Sequence, residues 1–594
     1  MKRKFISLLT TTMICASMTV FSTGCFTSLK DSIDKNSMQE HNPDSTDKSE
    51  NIQTDAPTVD ASDLIQITDK DKNTEYDKTS AVKIKLNNSS IDCSSSSVSI
   101  NGTTATITLP GTYVVSGKLD DGQIIVDVDK KEDVHLILDG ADITCSDNAP
   151  IYIMSADKTI ITLAENSENI LTDSKDLTFS DAVSEEPNAT LFSKDNLTIN
   201  GSGSLTVNAN FNNGIQTKNH LKILGGNITV TAPNDALKGK DSVTITDGTF
   251  DLYTKGDGVV SSNSEETGLG YIHITGGKFN ITADGKGING ATLIITKGGS
   301  FDITSVDDAM HSNGDITIAD GEFTLTSDDD GIHSDSDLTI NAGTISITKS
   351  YEGIESGGVT INGGDISIYA SDDGINVASG NDNSSTGGMW GKDMFASDSS
   401  CNLVFTGGNV YVNCSGDGLD SNGTIEMSGG NVVVDGPDSS ANGALDYGIS
   451  FEITGGNFIA TGASGMSENI TDSSTQCGAL LNFTGSLGGT MITVTDSDNN
   501  VIASIKSSKN WGSLNISTPA MKTGETYSIY CDGTISGGTM IGPDCYVGGT
   551  LSNATSLGTF TQTDIVFGEG RGMGGPGGMG GMGGHGGMGG HGGR

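Results

Sequence analysis

No arginine stands between Arg3 and Arg571 in these 594 residues, and 32 basic residues face 75 acidic ones for a formal net charge of -43. Neutralising nucleic-acid phosphates requires clustered Lys and Arg, so a nucleic-acid partner is excluded. A body this acidic attracts cations and repels polyanions unless metal ions lie between. Proline is scarce at 10 residues, and only Trp390 and Trp511 offer the indole platforms that neutral-glycan binders display. Long helical patterns are hard to find, and the helical or Leu/Asn signature that a leucine-rich or ankyrin solenoid needs is absent. Outside the leader and Cys25, seven cysteines remain (Cys93, Cys145, Cys401, Cys414, Cys477, Cys531 and Cys545), an odd and sparse set that requires no disulfide framework.

Glycine, in contrast, numbers 82, and short runs of Thr, Ile, Val and Ser separate the glycine turns. The first residues, "MKRKFISLLTTTMICASMTVFSTGC", combine a basic start, an apolar stretch and small residues before Cys25. They resemble a bacterial lipoprotein signal peptide over 1–25, in which Cys25 is lipidated and anchors the chain to a membrane; ordinary secretion is the alternative. Either way the protein is expected outside the cytoplasm. Residues 26–80 are polar and aperiodic, as expected of a disordered tether. Residues 568–594 form a low-complexity Gly/Met/His tail, in which His585 and His591 read as flexible spacer or as captors of copper or nickel.

Between these ends the chain repeats. Aligned on their glycine turns, Asn213, Asp235, Asp257, Lys286, Asp308, Asp330, Glu352, Asp373, Asp417 and Asn442 fall in one column, mostly 21 or 22 residues apart. Longer intervals mark loop insertions on one face of a solenoid. Within a repeat, "DLTI" and "TISI" alternate polar and apolar residues at period two, with a second glycine turn between them. Met310, Ile316, Ile318, Phe323 and Leu325 then align with Ile332, Leu338, Ile340, Ile345 and Ile347, predicting a continuous core. The fold class is all-β: a parallel β-helix of about 22 residues per rung over 85–475, its pattern detectable from near residue 95. A small β unit over 476–567 is expected to cap its open end.

The stretches "GQIIVDV", "VHLILDGADIT", "ENILTDS", "SKDNLTINGSGSLTV" and the recurrent "DDGI" resemble the clostridial carbohydrate-binding domain family of secreted β-helix proteins, over roughly residues 85–567. That resemblance implies a right-handed parallel β-helix like that of pectate lyases, bound calcium, and binding to cellulose and polygalacturonate.

Stacked about 5 Å apart, neighbouring carboxylates of the column repel by about 0.9 kcal/mol in bulk water and about 3.5 kcal/mol at an effective dielectric of about 20. No lysine occurs from Asp307 to Ser346 to offset this. Calcium, which takes six to eight oxygens in tolerant geometry, is the expected cofactor. Its candidate ligands are Asp257, Asp307, Asp308, Asp329, Asp330, Glu352, Asp372, Asp373, Asp417 and Asp420. The alternative for isolated aspartates is turn chemistry, Asp satisfying local amides and Gly adopting positive φ. His311 and His333, three residues after Asp308 and Asp330, raise zinc as a minor alternative.

A polysaccharide lyase needs a base, and Lys238, which occupies the place of His311 and His333 on its own rung, is the weak candidate. Candidate ligand contacts are Trp390, Tyr351, Lys238, His311 and His333, with Tyr369 and Tyr411 as further aromatics. The expected function is calcium-dependent or calcium-stabilised binding of a cell-wall or matrix polysaccharide, an acidic glycan or cellulose, without catalysis. A calcium-dependent lyase acting on uronans and a surface adhesion protein are the alternatives.

Overall fold

The computed structural model describes Leu64 and residues 66–176, 186–378, 397–485, 487–507 and 509–570, all within the unit running from Asp55 to Arg594. Cys25 and the leader, the tether before Leu64, the insertion carrying Trp390, and the tail with His585 and His591 lie outside the described residues.

The period-two alternation produces a parallel β-solenoid of about 14 turns and about 23 residues per turn. The insertions raise the mean above the expected 22. Inward residues stack in register: Ile316, Leu338, Val359, Leu403, Ile425 and Phe451 pair from rung to rung, and all are buried. Phe250, Phe279, Phe301 and Phe323 form a ring stack with centroids 4.6, 4.8 and 4.6 Å apart, which reproduces the strand spacing inside the core. The solenoid starts earlier than expected, since Val82–Asn88 already pairs in parallel with Gly111–Leu119.

The expected tether over 26–80 is corrected at its end. From Leu64 the chain lies against the solenoid wall, where Leu64 packs on Tyr271, Leu293 and Ile295. A four-residue helix, Asp69–Lys72, then buries Asp71 completely. The Asp71 carboxylate meets Lys158 at 2.7 Å and Lys222 at 3.0 Å, and accepts a hydrogen bond from Thr198 at 2.9 Å. Burial opposes its charge, but hydrogen bonds from Lys158, Thr68 and Lys222 hold it well below the ordinary carboxylate range. A polar segment is thereby fastened by one buried ion cluster rather than by apolar periodicity.

At the other end, Ser513–Ser517 runs antiparallel to Asn457–Gly462 and to Gly478–Asn482, so the last rung carries a strand that stops further parallel stacking. Beyond it lies a six-stranded sheet whose ladders are antiparallel. Its core includes Ile492, Val494, Trp511, Tyr527 and Phe560, so Trp511 is committed to packing.

Candidate functional site

The acidic column forms a hydrogen-bond ladder. Asn213 Oδ1 accepts the amide of Asp235 at 3.0 Å, Asp235 Oδ1 that of Asp257 at 3.2 Å, and Asp257 Oδ1 that of Lys286 at 2.8 Å. Asp308 likewise takes the amide of Asp330 at 3.3 Å, Asp330 that of Glu352 at 3.2 Å, and Asp373 that of Asp417 at 2.5 Å. One oxygen of each aspartate therefore satisfies a backbone donor on the following rung, which a buried amide requires. Lys286 has no carboxylate and interrupts the ladder. There the preceding residue substitutes, Asp307 Oδ1 accepting the amide of Asp308 at 2.9 Å.

Alanine follows Asp235 and Asp308, and where glycine follows the aspartate instead it has a different cause from the one expected. Gly331 and Gly418 lie outside the positive-φ set. They are fixed by crowding: a Cβ on Gly331 would stand 2.6 Å from Gly353 O, and one on Gly418 would stand 2.4 Å from Val434 Cγ1. Positive φ belongs to the second turn, at glycines such as Gly343 and Gly364.

Three residues after the column, the next short strand presents a second column: Gln216, Lys238, Val260, Asn289, His311, His333, Glu355, Asn376, Asp420 and Asp446 pair in that order. This column supplies most of the partners for the second oxygen of each acid. Asp235 Oδ2 meets Lys238 Nζ at 2.7 Å, Asp257 Oδ2 accepts from Asn289 at 2.7 Å, and Glu352 Oε2 accepts from Asn376 at 3.0 Å. Asp308 Oδ2 faces His311 at 3.0 Å and also Lys286 Nζ, which reaches from the preceding rung and meets Asp307 at 2.9 Å. The stretch from Asp307 to Ser346 has no lysine of its own, yet Lys286 neutralises the Asp307–Asp308 pair from across the rung. Burial opposes ionisation of Asp308, but His311 and Lys286 bring its carboxyl down to about 2. Burial alone would lower His333, yet Asp330, Asp335, Glu355 and Asp308 around it lift it to about 11.

This pairing fails at the far end. Beside Asp417 the outward position holds Asp420, and among the described residues no lysine or histidine pairs with Asp373, Asp417 or Asp420. Burial and then neighbouring carboxylates push Asp373 and Asp417 up to about 7 and Asp420 well above its ordinary range. Glu468 rises to about 7 through burial and Asp446. Glu352 rises to about 10 through burial followed by Glu355, Asp330 and Asp373. One oxygen from each of Asp373, Asp417 and Asp420 falls within 4.8 Å of the others. Oxygens around a calcium ion, with bonds of about 2.3–2.6 Å, are at most about 5 Å apart, so this all-oxygen set fits a hard cation.

Lys238, the candidate base, is held by Asp235 and lies on a different rung from that group. Asp329 is exposed, and burial of its carboxyl together with Asp330 and Asp308 raises it to about 6. Tyr351 and Tyr369 are 42% and 43% exposed; the Tyr351 hydroxyl bonds Asp372, while Tyr369 packs edge-on against Tyr411 at 5.9 Å. Asn442 does not belong to the column: Gly418 N bonds Gly443 O, so Gly443 occupies that place. This one-residue slip is why Asp446 went unrecognised, although the three-residue offset that marks His311 and His333 finds it once Gly443 is aligned. Glu355 shows the same offset from Glu352 and was also missed.

A family model described as carbohydrate-binding domain-containing protein matches residues 101–374 and 307–393. A protein of that description from Acetivibrio thermocellus is 42% identical over 199 residues, 34% of this chain and 68% of that protein. Among solved structures, a polysaccharide lyase-like protein from C. thermocellum, determined as a gadolinium derivative, shares 42% identity over 40% of this chain and 97% of its own, with a TM-score of 0.39.

Proposed function

This chain belongs to the carbohydrate-binding domain-containing protein family, and from that premise we propose that its acidic turn-and-strand face binds an acidic polysaccharide through calcium. The observation that carries the reading is the group of Asp373, Asp417 and Asp420, three carboxylates in mutual reach with no cationic side chain paired to them among the described residues. A cation there removes the repulsion that otherwise protonates these groups, and its remaining coordination positions take oxygens from a uronate. Asp307, Asp308 and Asp257 already have donors and are not part of this calcium group.

Beside the group, the exposed faces of Tyr351 and Tyr369 supply apolar area against which a sugar ring stacks. The cation position favours a charged glycan over cellulose, which carries no carboxylate for the ion to hold. We place the protein outside the cytoplasm, lipid-anchored through Cys25 or secreted. Affinity electrophoresis tests the binding: retardation by polygalacturonate in calcium, and its loss in chelator, is expected. Equal retardation in chelator removes calcium from the reading, and no retardation by polygalacturonate or hydroxyethyl cellulose removes the glycan.

A further inference from the structure

We propose that Asp308, His311 and His333 form a binding site for a borderline divalent ion of the zinc class, separate from the all-oxygen group at Asp373, Asp417 and Asp420. Asp308 Oδ2 lies 3.0 Å from His311 Nδ1 and 3.8 Å from His333 Nδ1, and one donor atom from each of the three residues falls within 4.8 Å of the others. The two imidazoles stand on adjacent rungs with centroids 4.9 Å apart.

His311 shows why the arrangement suits a metal. Its Nε2 pairs with Asn313 Oδ1 at 3.0 Å, an acceptor that keeps a ring proton on Nε2 when an ion takes the place of the proton on Nδ1. That Nδ1 is buried and lacks the alignment of a hydrogen bond, although the Asp308 oxygen is only 3.0 Å away. Two ligands of one ion, each bonded at about 2.0–2.1 Å, lie about 3.3 Å apart with neither on the other's lone-pair axis. The 3.0 Å approach is near that spacing, so a small outward shift of either side chain admits an ion between them.

His333 offers its Nδ1 to the same point once an ion displaces the proton that its carboxylate neighbours hold there. Its Nε2 faces Asp335 Oδ1 at 3.4 Å, an acceptor for the ring proton, while Nδ1 faces Asp308, Asp330 at 3.4 Å and Glu355 at 3.4 Å. A carboxylate behind a histidine fixes its tautomer and raises its basicity toward a metal. The imidazole nitrogens distinguish this site chemically: calcium prefers oxygen, whereas zinc-class ions take histidine with carboxylate. Lys286 competes for the same Asp308 oxygen and keeps Asp307 when an ion enters.

The test titrates Co²⁺ into the full chain carrying His585→Gln and His591→Gln, so that the tail histidines contribute nothing. The expected result is a visible d–d band that survives excess Ca²⁺ and disappears with His311→Gln or His333→Gln. Asp335→Asn weakens Co²⁺ by about 10-fold, as loss of a carboxylate behind a ligand histidine does, and Lys286→Met tightens it. If the histidine variants fail to fold, imidazole ¹⁵N shifts on Zn²⁺ addition to the same chain decide. No band, a band erased by Ca²⁺, or imidazoles that stay doubly protonated and unmoved by Zn²⁺ would overturn the proposal.

Discussion

Asp420 stands beside Asp417 where His311 stands beside Asp308, three residues on and one strand outward, so a position that holds a cation-capable nitrogen on one rung holds a third carboxylate on another. The two rungs share a backbone plan and differ in how charge is balanced. The binding account depends on that difference.

Replacing Asp417 and Asp420 together by Asn removes two anionic ligands and two mutually destabilised acids. Calcium at about 100 times its dissociation constant stabilises the unmodified chain by about 2.7 kcal/mol. The double variant is expected to melt at the same temperature with calcium and with chelator. A calcium-dependent shift that persists in the variant places the ion elsewhere.

The pH dependence follows from the raised carboxyls. Asp373 and Asp417 move from 3.8 to about 7, so the folded chain binds more protons than the unfolded chain across that interval. Stability in chelator is then full below pH 4 as far as these groups are concerned and is lost as pH rises toward 7. Calcium is expected to flatten this decline. Differential scanning calorimetry in chelator that shows rising stability over the interval contradicts the assignment.

Asp71→Ala leaves Lys158 and Lys222 buried against the wall without their acid. Breaking a buried ion cluster from one side costs about 3–5 kcal/mol, and the loss falls on the segment that Asp71 fastens. Limited proteolysis is expected to cut within residues 64–80 far faster in the variant, with the rungs beyond protected. Unchanged cleavage there means that Leu64 and its neighbours suffice.

Gly331→Ala places a methyl 2.6 Å from the Gly353 carbonyl oxygen and 2.7 Å from Ile347. Overpacking of this kind costs about 1–3 kcal/mol. Denaturant midpoints measure it, and no loss of stability means that the rungs separate locally at little cost.

The core was legible because its code is local. Period-two alternation and a fixed repeat place Ile316, Leu338 and Val359 in register without knowledge of any long-range contact. The acidic column was legible for the same reason. What escaped the sequence acts between rungs: Lys286 reaching Asp307 and Asp308, the amide ladder itself, and the carbonyl that crowds Gly331 all depend on the rise from one rung to the next. The Asn442–Gly443 slip followed an irregular interval, where counting residues no longer counts positions. Asp71 gave no signal, since one buried acid in a polar stretch is indistinguishable by composition from a tether.

Calorimetric titration of an oligogalacturonate into the full chain, in calcium and in chelator, addresses the central claim most directly. Binding in calcium that vanishes both in chelator and in the Asp417→Asn, Asp420→Asn variant is the predicted result. Binding that survives both changes contradicts a calcium-bridged site at that end of the column.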